Sequence, residues 1–136
     1  MTPDEFIRSI YLGDRACKAV IIDTWRSRVA IQINVISRVR RGDQAWNFYT
    51  DEDITDGLLV FSEVQSLVFD PPGPIPNDFI YDLVVRHSKG NPSLYVFELS
   101  IGSVDEQANS IEVTLCVEAR RIHLEDPLRP GVEISD

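Results

Sequence analysis

Between Arg41 and Arg86 the chain has no lysine and no arginine, yet that stretch carries Asp43, Asp51, Glu52, Asp53, Asp56, Glu63, Asp70, Asp78 and Asp82. With formal net charge −9, such a chain is repelled by phosphate backbones and anionic bilayers, which argues against a nucleic-acid or membrane partner. Cysteine is scarce as well. Cys17 and Cys116 lie far apart, and neither belongs to a CxxC pair or a ligand-spaced His/Cys cluster, so a reduced compartment is expected and a disulfide framework is not. No apolar run approaches the ~18 residues of a membrane span, and Met1 to Arg8 lacks the basic and apolar segments of a signal peptide. The expected location is the cytoplasm. No cofactor motif is found and no cofactor is expected.

What is present suits one folded domain of 136 residues, 43% hydrophobic, with a core large enough to need no metal or disulfide. The charge is unevenly spread. Residues 1–41 hold eight bases against four acids, whereas residues 42–136 hold five bases against eighteen acids. Either an acidic surface meets a basic partner, or two oppositely charged halves pair inside the fold.

Thr2, Pro3 and Glu5 form a capping-box signature, and Phe6, Ile7, Ile10 and Tyr11 follow on one stripe, which predicts a helix over about residues 2–12 with Gly13 as its left-handed stop. From residue 16 the period becomes two. Val29, Ile31, Ile33 and Val35 alternate with polar or small residues after a turn at Asp23 to Ser27. The run Arg28 to Arg40 would extend roughly 40 Å if straight and is therefore expected to bend. Leu58 to Phe69 reads as a strand, with a helical turn as the alternative, and Pro71 to Pro76 reads as a stiff loop. Phe79 to Arg86 and Tyr95 to Ile101 form a hairpin around Ser88 to Pro92. In the last run Ile111, Val113, Leu115, Val117 and Ala119 share one face, but Ile122 and Leu124 have the other parity, so a bulge or bend is predicted near Arg120 and Arg121. The tail 126–136 is expected on the surface. The fold class is β-dominated α+β: one N-terminal amphipathic helix and about six antiparallel strands over 16–125, in a curved sheet, half-barrel or sandwich.

No residue is assigned a catalytic role, and the weak candidates are His123 and Glu125, which share a strand face where the carboxylate would raise the basicity of the imidazole. An ordinary structural pair is the alternative. Cys116, set among Glu112, Thr114 and Glu118, is a poor nucleophile because carboxylates raise a thiol pKa. Asp51 to Gly57 fails the EF-hand pattern, with Asp56 and Ser62 where glycine and glutamate belong, so no metal is expected. Arg26, Arg28, Arg38, Arg40 and Arg41 read as cross-strand partners for acids, with Arg28, Arg38 and Arg40 on one face. The expected partner-binding residues are Asp43, Trp46, Tyr49, Asp51, Glu52, Asp53 and Asp56, where charge steers and aromatics anchor. The aromatics alternatively fill the end of the core.

The segments Asp4-Glu5-Phe6 to Tyr11-Leu12-Gly13-Asp14 and Ile122-His123-Leu124-Glu125-Asp126-Pro127 resemble a family of small uncharacterised bacterial proteins. Size, acidity and lack of motifs are similar to immunity proteins that neutralise toxins. That likeness implies an interaction protein that occludes a basic partner. A small-molecule binding domain or enzyme with its pocket in the curved sheet, and a homodimer through strand edges, are the competing readings.

Overall fold

The structure, a computed structural model, describes residues 1–39 and 53–135. The helix α1 (Pro3–Arg8) opens on the expected capping box: Glu5 N donates to the Thr2 hydroxyl at 3.2 Å and Thr2 N to the Glu5 carboxylate at 3.1 Å. It ends well short of residue 12. Ser9 closes the last turn, its hydroxyl donating to Phe6 O at 2.6 Å. The backbone of Ile10 and Tyr11 then finds partners in a strand, β1 (Ile10–Tyr11), instead of extending a helix too short to be stable alone. The left-handed residue after it is Asp14, with φ 57°, rather than Gly13.

Eight further strands follow: β2 (Cys17–Asp23), β3 (Arg28–Ile33), β4 (Val35–Arg38), β5 (Ile54–Thr55), β6 (Leu58–Asp70), β7 (Ile80–Ser88), β8 (Asn91–Val104) and β9 (Ser110–Glu125). All pairings are antiparallel, in a six-stranded sheet of order β2-β3-β6-β9-β8-β7 and a three-stranded sheet of order β1-β4-β5. The β-dominated class is as expected, but the strands are more numerous. The run from Arg28 breaks at Asn34, which exchanges hydrogen bonds with Ala16 and accepts one from Asp56 N at 2.9 Å, and the chain there crosses from the large sheet to the small one. Arg28 and Arg38 consequently sit in different sheets and do not share a face. Leu58 to Asp70 is strand throughout, paired along its length with β9.

Both predicted hairpins form. Asp23 Oδ1 accepts from Arg26 N at 3.1 Å in the first, and Gly90 at φ 79° turns the second. The two edges of the large sheet meet at one end, where Ala16 bridges Phe79, Cys17 N donates to Asp78 O and Ile80 N to Arg15 O. Beyond that bridge they diverge, so the sheet is curled but does not close into a barrel.

The phase slip in β9 is real. Ala119 and Ile122 both reach the core, as do Val64 and Phe61 opposite them, while the register is the same on either side: Ala119 faces Val64 and Ile122 faces Phe61. Both strands change face together. Glu63 absorbs the change at φ 53°, and the bulge proper lies on β6 between Val64 and Ser66. The core is continuous: Phe61 and Phe97, with ring centroids 5.1 Å apart, pack with Ile31, Leu59, Leu99 and Leu115, while Phe6 of α1 and Ile36 and Ile54 of the small sheet join the same cluster.

Candidate functional site

Strand alternation sends one set of side chains into this core and the other outward. Over β6, β9, β8 and β7 the outward set falls into rows across the strands. One row is Asp70, Thr114, Ser100, Asp82; the next is Val68, Cys116, Glu98, Val84; the third is Ser66, Glu118, Val96, Arg86. Glu112 extends the same face beside Gly102. These rows together with Glu112 set five carboxylates, Asp70, Asp82, Glu98, Glu112 and Glu118, against the one cation Arg86, which pairs with Glu98 at 3.4 Å. Adjacent strands are ~4.8 Å apart, well inside a Debye length of ~8 Å at physiological salt, so the carboxylates act as one negative field. Val68 and Val84 are about half exposed among them. Burial raises the Cys116 thiol above its ordinary pKa, and Glu98 and Glu118 add to this against Arg86, so the thiol stays protonated and unreactive.

Of the residues expected to bind a partner, Asp43, Trp46, Tyr49, Asp51 and Glu52 lie outside the described residues. Asp53 is exposed. Asp56 is occupied in part by the fold: its Oδ1 accepts from Lys18 Nζ at 2.6 Å. Glu63 is exposed, and Asp82 accepts from Leu83 N at 2.9 Å, so neither meets the arginines of the N-terminal third. Arg28 instead binds Glu125 at 3.0 Å. Trp25 stands at the tip of the first hairpin, almost wholly in solvent.

His123 and Glu125 lie on the outer face at the far end of β9, beneath the chain terminus. Ile21, Ala30, Val60 and His123 form a row across four strands. The tail folds back beside β9 on the side that β8 leaves free: Leu124 and Ile134 exchange backbone hydrogen bonds at 2.8 and 2.9 Å, and Arg121 pairs with Glu133. The tail is mostly exposed, whereas His123 beside it is buried, and neither ring nitrogen has a hydrogen-bond partner. Burial depresses the His123 pKa; Glu133 and Glu125 oppose it while Arg28 and Arg121 reinforce it. Glu125 does not hydrogen-bond to the imidazole. Its Oε2 holds Arg28 and its Oε1 accepts from Gly131 N at 3.3 Å, tying hairpin, sheet and tail together. A cleft of about 270 Å³ opens beside it between Pro130–Gly131 and Asp23, Arg26 and Arg28. No group of three or more potential metal ligands occurs among the described residues.

The outer-face rows escape a reading of single strands, although their members are legible within each one: Glu112, Thr114, Cys116 and Glu118 alternate with the core residues of β9, as do Asp82, Val84 and Arg86 in β7. Register across strands is the missing signal.

Fold and surface together define an antiparallel β protein with a curled sheet, a short helix and an acidic outer face. The chain belongs to the DUF6258 family of unknown function, whose model matches residues 1–136. No curated protein matches it, and no solved structure does. These comparisons show no similarity to toxin-immunity proteins. No helix among the described residues is long and apolar enough to cross a membrane.

Proposed function

We propose that this chain is a cytoplasmic interaction protein that offers a carboxylate surface to a basic folded protein. The observation that supports it best is the outer face of β6, β9, β8 and β7, which Asp70, Asp82, Glu98, Glu112 and Glu118 share with the half-exposed Val68 and Val84. A sheet face that mixes exposed apolar residues with an excess of carboxylates suits a partner of opposite charge: the field speeds encounter, and the valines are covered once contact is made. The acids from Asp43 to Asp56, with Trp46 and Tyr49, extend the same reading.

The concrete form is inhibition by occlusion, as in an immunity protein. A basic enzyme that acts on phosphodiesters has an active site built for negative charge, and a carboxylate surface competes for it. The test measures binding to a panel of basic bacterial nucleases by interferometry, and inhibition of each. At least one should be bound and inhibited by the native chain, with binding weakened tenfold or more by the paired substitution E98K and E118K. Absence of binding across the panel, or equal binding by native and charge-reversed chains, overturns the reading. Both side chains lie on the outer face and outside the core, and circular dichroism checks that the substituted chain keeps its fold.

A further inference from the structure

β7 is the last strand of the large sheet. It is bonded to β8 on one side, and beyond Ile80, whose N–H goes to Arg15 O, no described strand lies on the other. Natural edges are blunted by charged side chains, lysine above all, by proline or by a bulge; the charges of this edge, Asp82 and Arg86, are opposite in sign and can pair across a seam. From Asp82 to His87 this edge has no lysine or proline, and its register shifts fall at either end, between Ile80 and Asp82 and between His87 and Ser88. The ladder turns the backbone groups of Asp82, Val84 and Arg86 toward β8 and those of Leu83 and Val85 outward. The outward N–H of Leu83 has only the carboxylate of its neighbour Asp82, at 2.9 Å.

We propose that this edge is the seam of a homodimer, β7 pairing antiparallel with β7 of a second copy about a two-fold axis through Val84. A two-fold axis perpendicular to a sheet keeps each face on its own side, so opposed residues must have the same parity or coincide. Centred on Val84, the pairing sets Leu83 against Val85 of the second copy with mutual backbone hydrogen bonds. It sets Asp82 against Arg86 of the second copy, and each of these contacts occurs twice. Val84, 46% exposed in the single chain, stands beside its own copy on the axis, with its outward side still open.

Charge selects this register. An axis at Asp82 or Arg86 brings like charges together, and an axis at Leu83 or Val85 sets Asp82 or Arg86 against valine. The other edge, β2, has no such solution: Lys18 is tied to Asp56, and its even-parity registers about Val20 or Ile21 oppose Lys18 to Ile22 or Asp23 to Ala19. Asp82 and Arg86 are exposed in the single chain, so they remain free to re-pair, Asp82 leaving the Leu83 N–H to the second copy's backbone. The seam leaves the carboxylate face open on both copies and does not depend on what that face binds.

Sedimentation equilibrium of the full chain tests the proposal. The native protein should sediment as a dimer in the micromolar range. D82R and R86D should each dissociate at least tenfold more readily, and the double swap D82R with R86D should associate again. V84K, which places two lysines on the axis, should be monomeric. All four variants change exposed side chains, and an unchanged far-ultraviolet circular dichroism spectrum verifies the fold. A monomeric native chain, single variants that stay dimeric, or a double swap no more associated than the single variants overturns the proposal.

Discussion

Replacing His123 by leucine should stabilise the protein. The imidazole is fully buried, Val60 lies directly opposite, and neither ring nitrogen has a partner. A buried polar group without a hydrogen bond carries a desolvation cost of about 1–3 kcal/mol. Leucine removes that cost and adds apolar contact to the row of Ile21, Ala30 and Val60, while its different shape costs about 1 kcal/mol of repacking. The net expectation is a gain of about 1 kcal/mol at pH 7, or roughly 3 °C in melting temperature for a chain of this size. The gain should widen in acid. Because burial depresses the native pKa of His123, the unfolded chain takes up the proton first, so the stability associated with the neutral imidazole is full above the unfolded pKa of ~6.5 and is lost as pH falls below it. Urea denaturation of both proteins at pH 7 and pH 5.5 measures this. A leucine variant less stable than the native chain at pH 7 refutes the assignment of an unpartnered imidazole. A stability gap that does not grow at pH 5.5 refutes the pKa argument.

Phe97→Ala should cost about 3–5 kcal/mol, because the ring is fully buried against Phe61 in the centre of the core, and chemical denaturation will register the shift. Glu125→Ala leaves Arg28 without its partner and Gly131 N–H without its acceptor; a loss of about 2 kcal/mol is expected, with faster proteolysis confined to the tail, read by mass spectrometry of the fragments.

Much of the fold is visible in periodicity, and its departures have local causes. The β7–β8 hairpin shows as alternation on both sides of a Gly-Asn-Pro turn. The break at Asn34 does not show, because a polar residue at an even position in Val29 to Val35 looks like one more outward side chain; only its backbone contacts with Ala16 and Asp56 reveal the crossing. The two-residue strands β1 and β5 are too short to carry a period. The bend in β9 is written in the parity of Ile122 and Leu124, but the matching change at Glu63 is not, since nothing marks a glutamate for positive φ. The burial of His123 was equally hidden, because the segment that returns beside it, 126–135, has no apolar repeat and is held by backbone pairing and the Arg121–Glu133 ion pair instead.

The charge asymmetry that the sequence displays is divided by the fold into two parts. Lys18 with Asp56 and Arg28 with Glu125 are matches between the basic N-terminal third and the acidic remainder, so part of the imbalance is consumed internally. Another part, five carboxylates against Arg86, stands on the outer face of four adjacent strands, and much of it, Glu98, Glu112 and Glu118, comes from beyond the base-poor stretch. Exposed ion pairs such as Arg86 with Glu98 contribute at most about 1 kcal/mol, while unpaired carboxylates on neighbouring strands repel one another. The face therefore opposes folding slightly instead of supporting it. Its composition is unexplained by the needs of the sheet, whose stability comes from the other face, and the basic partner proposed above would remove the repulsion on contact.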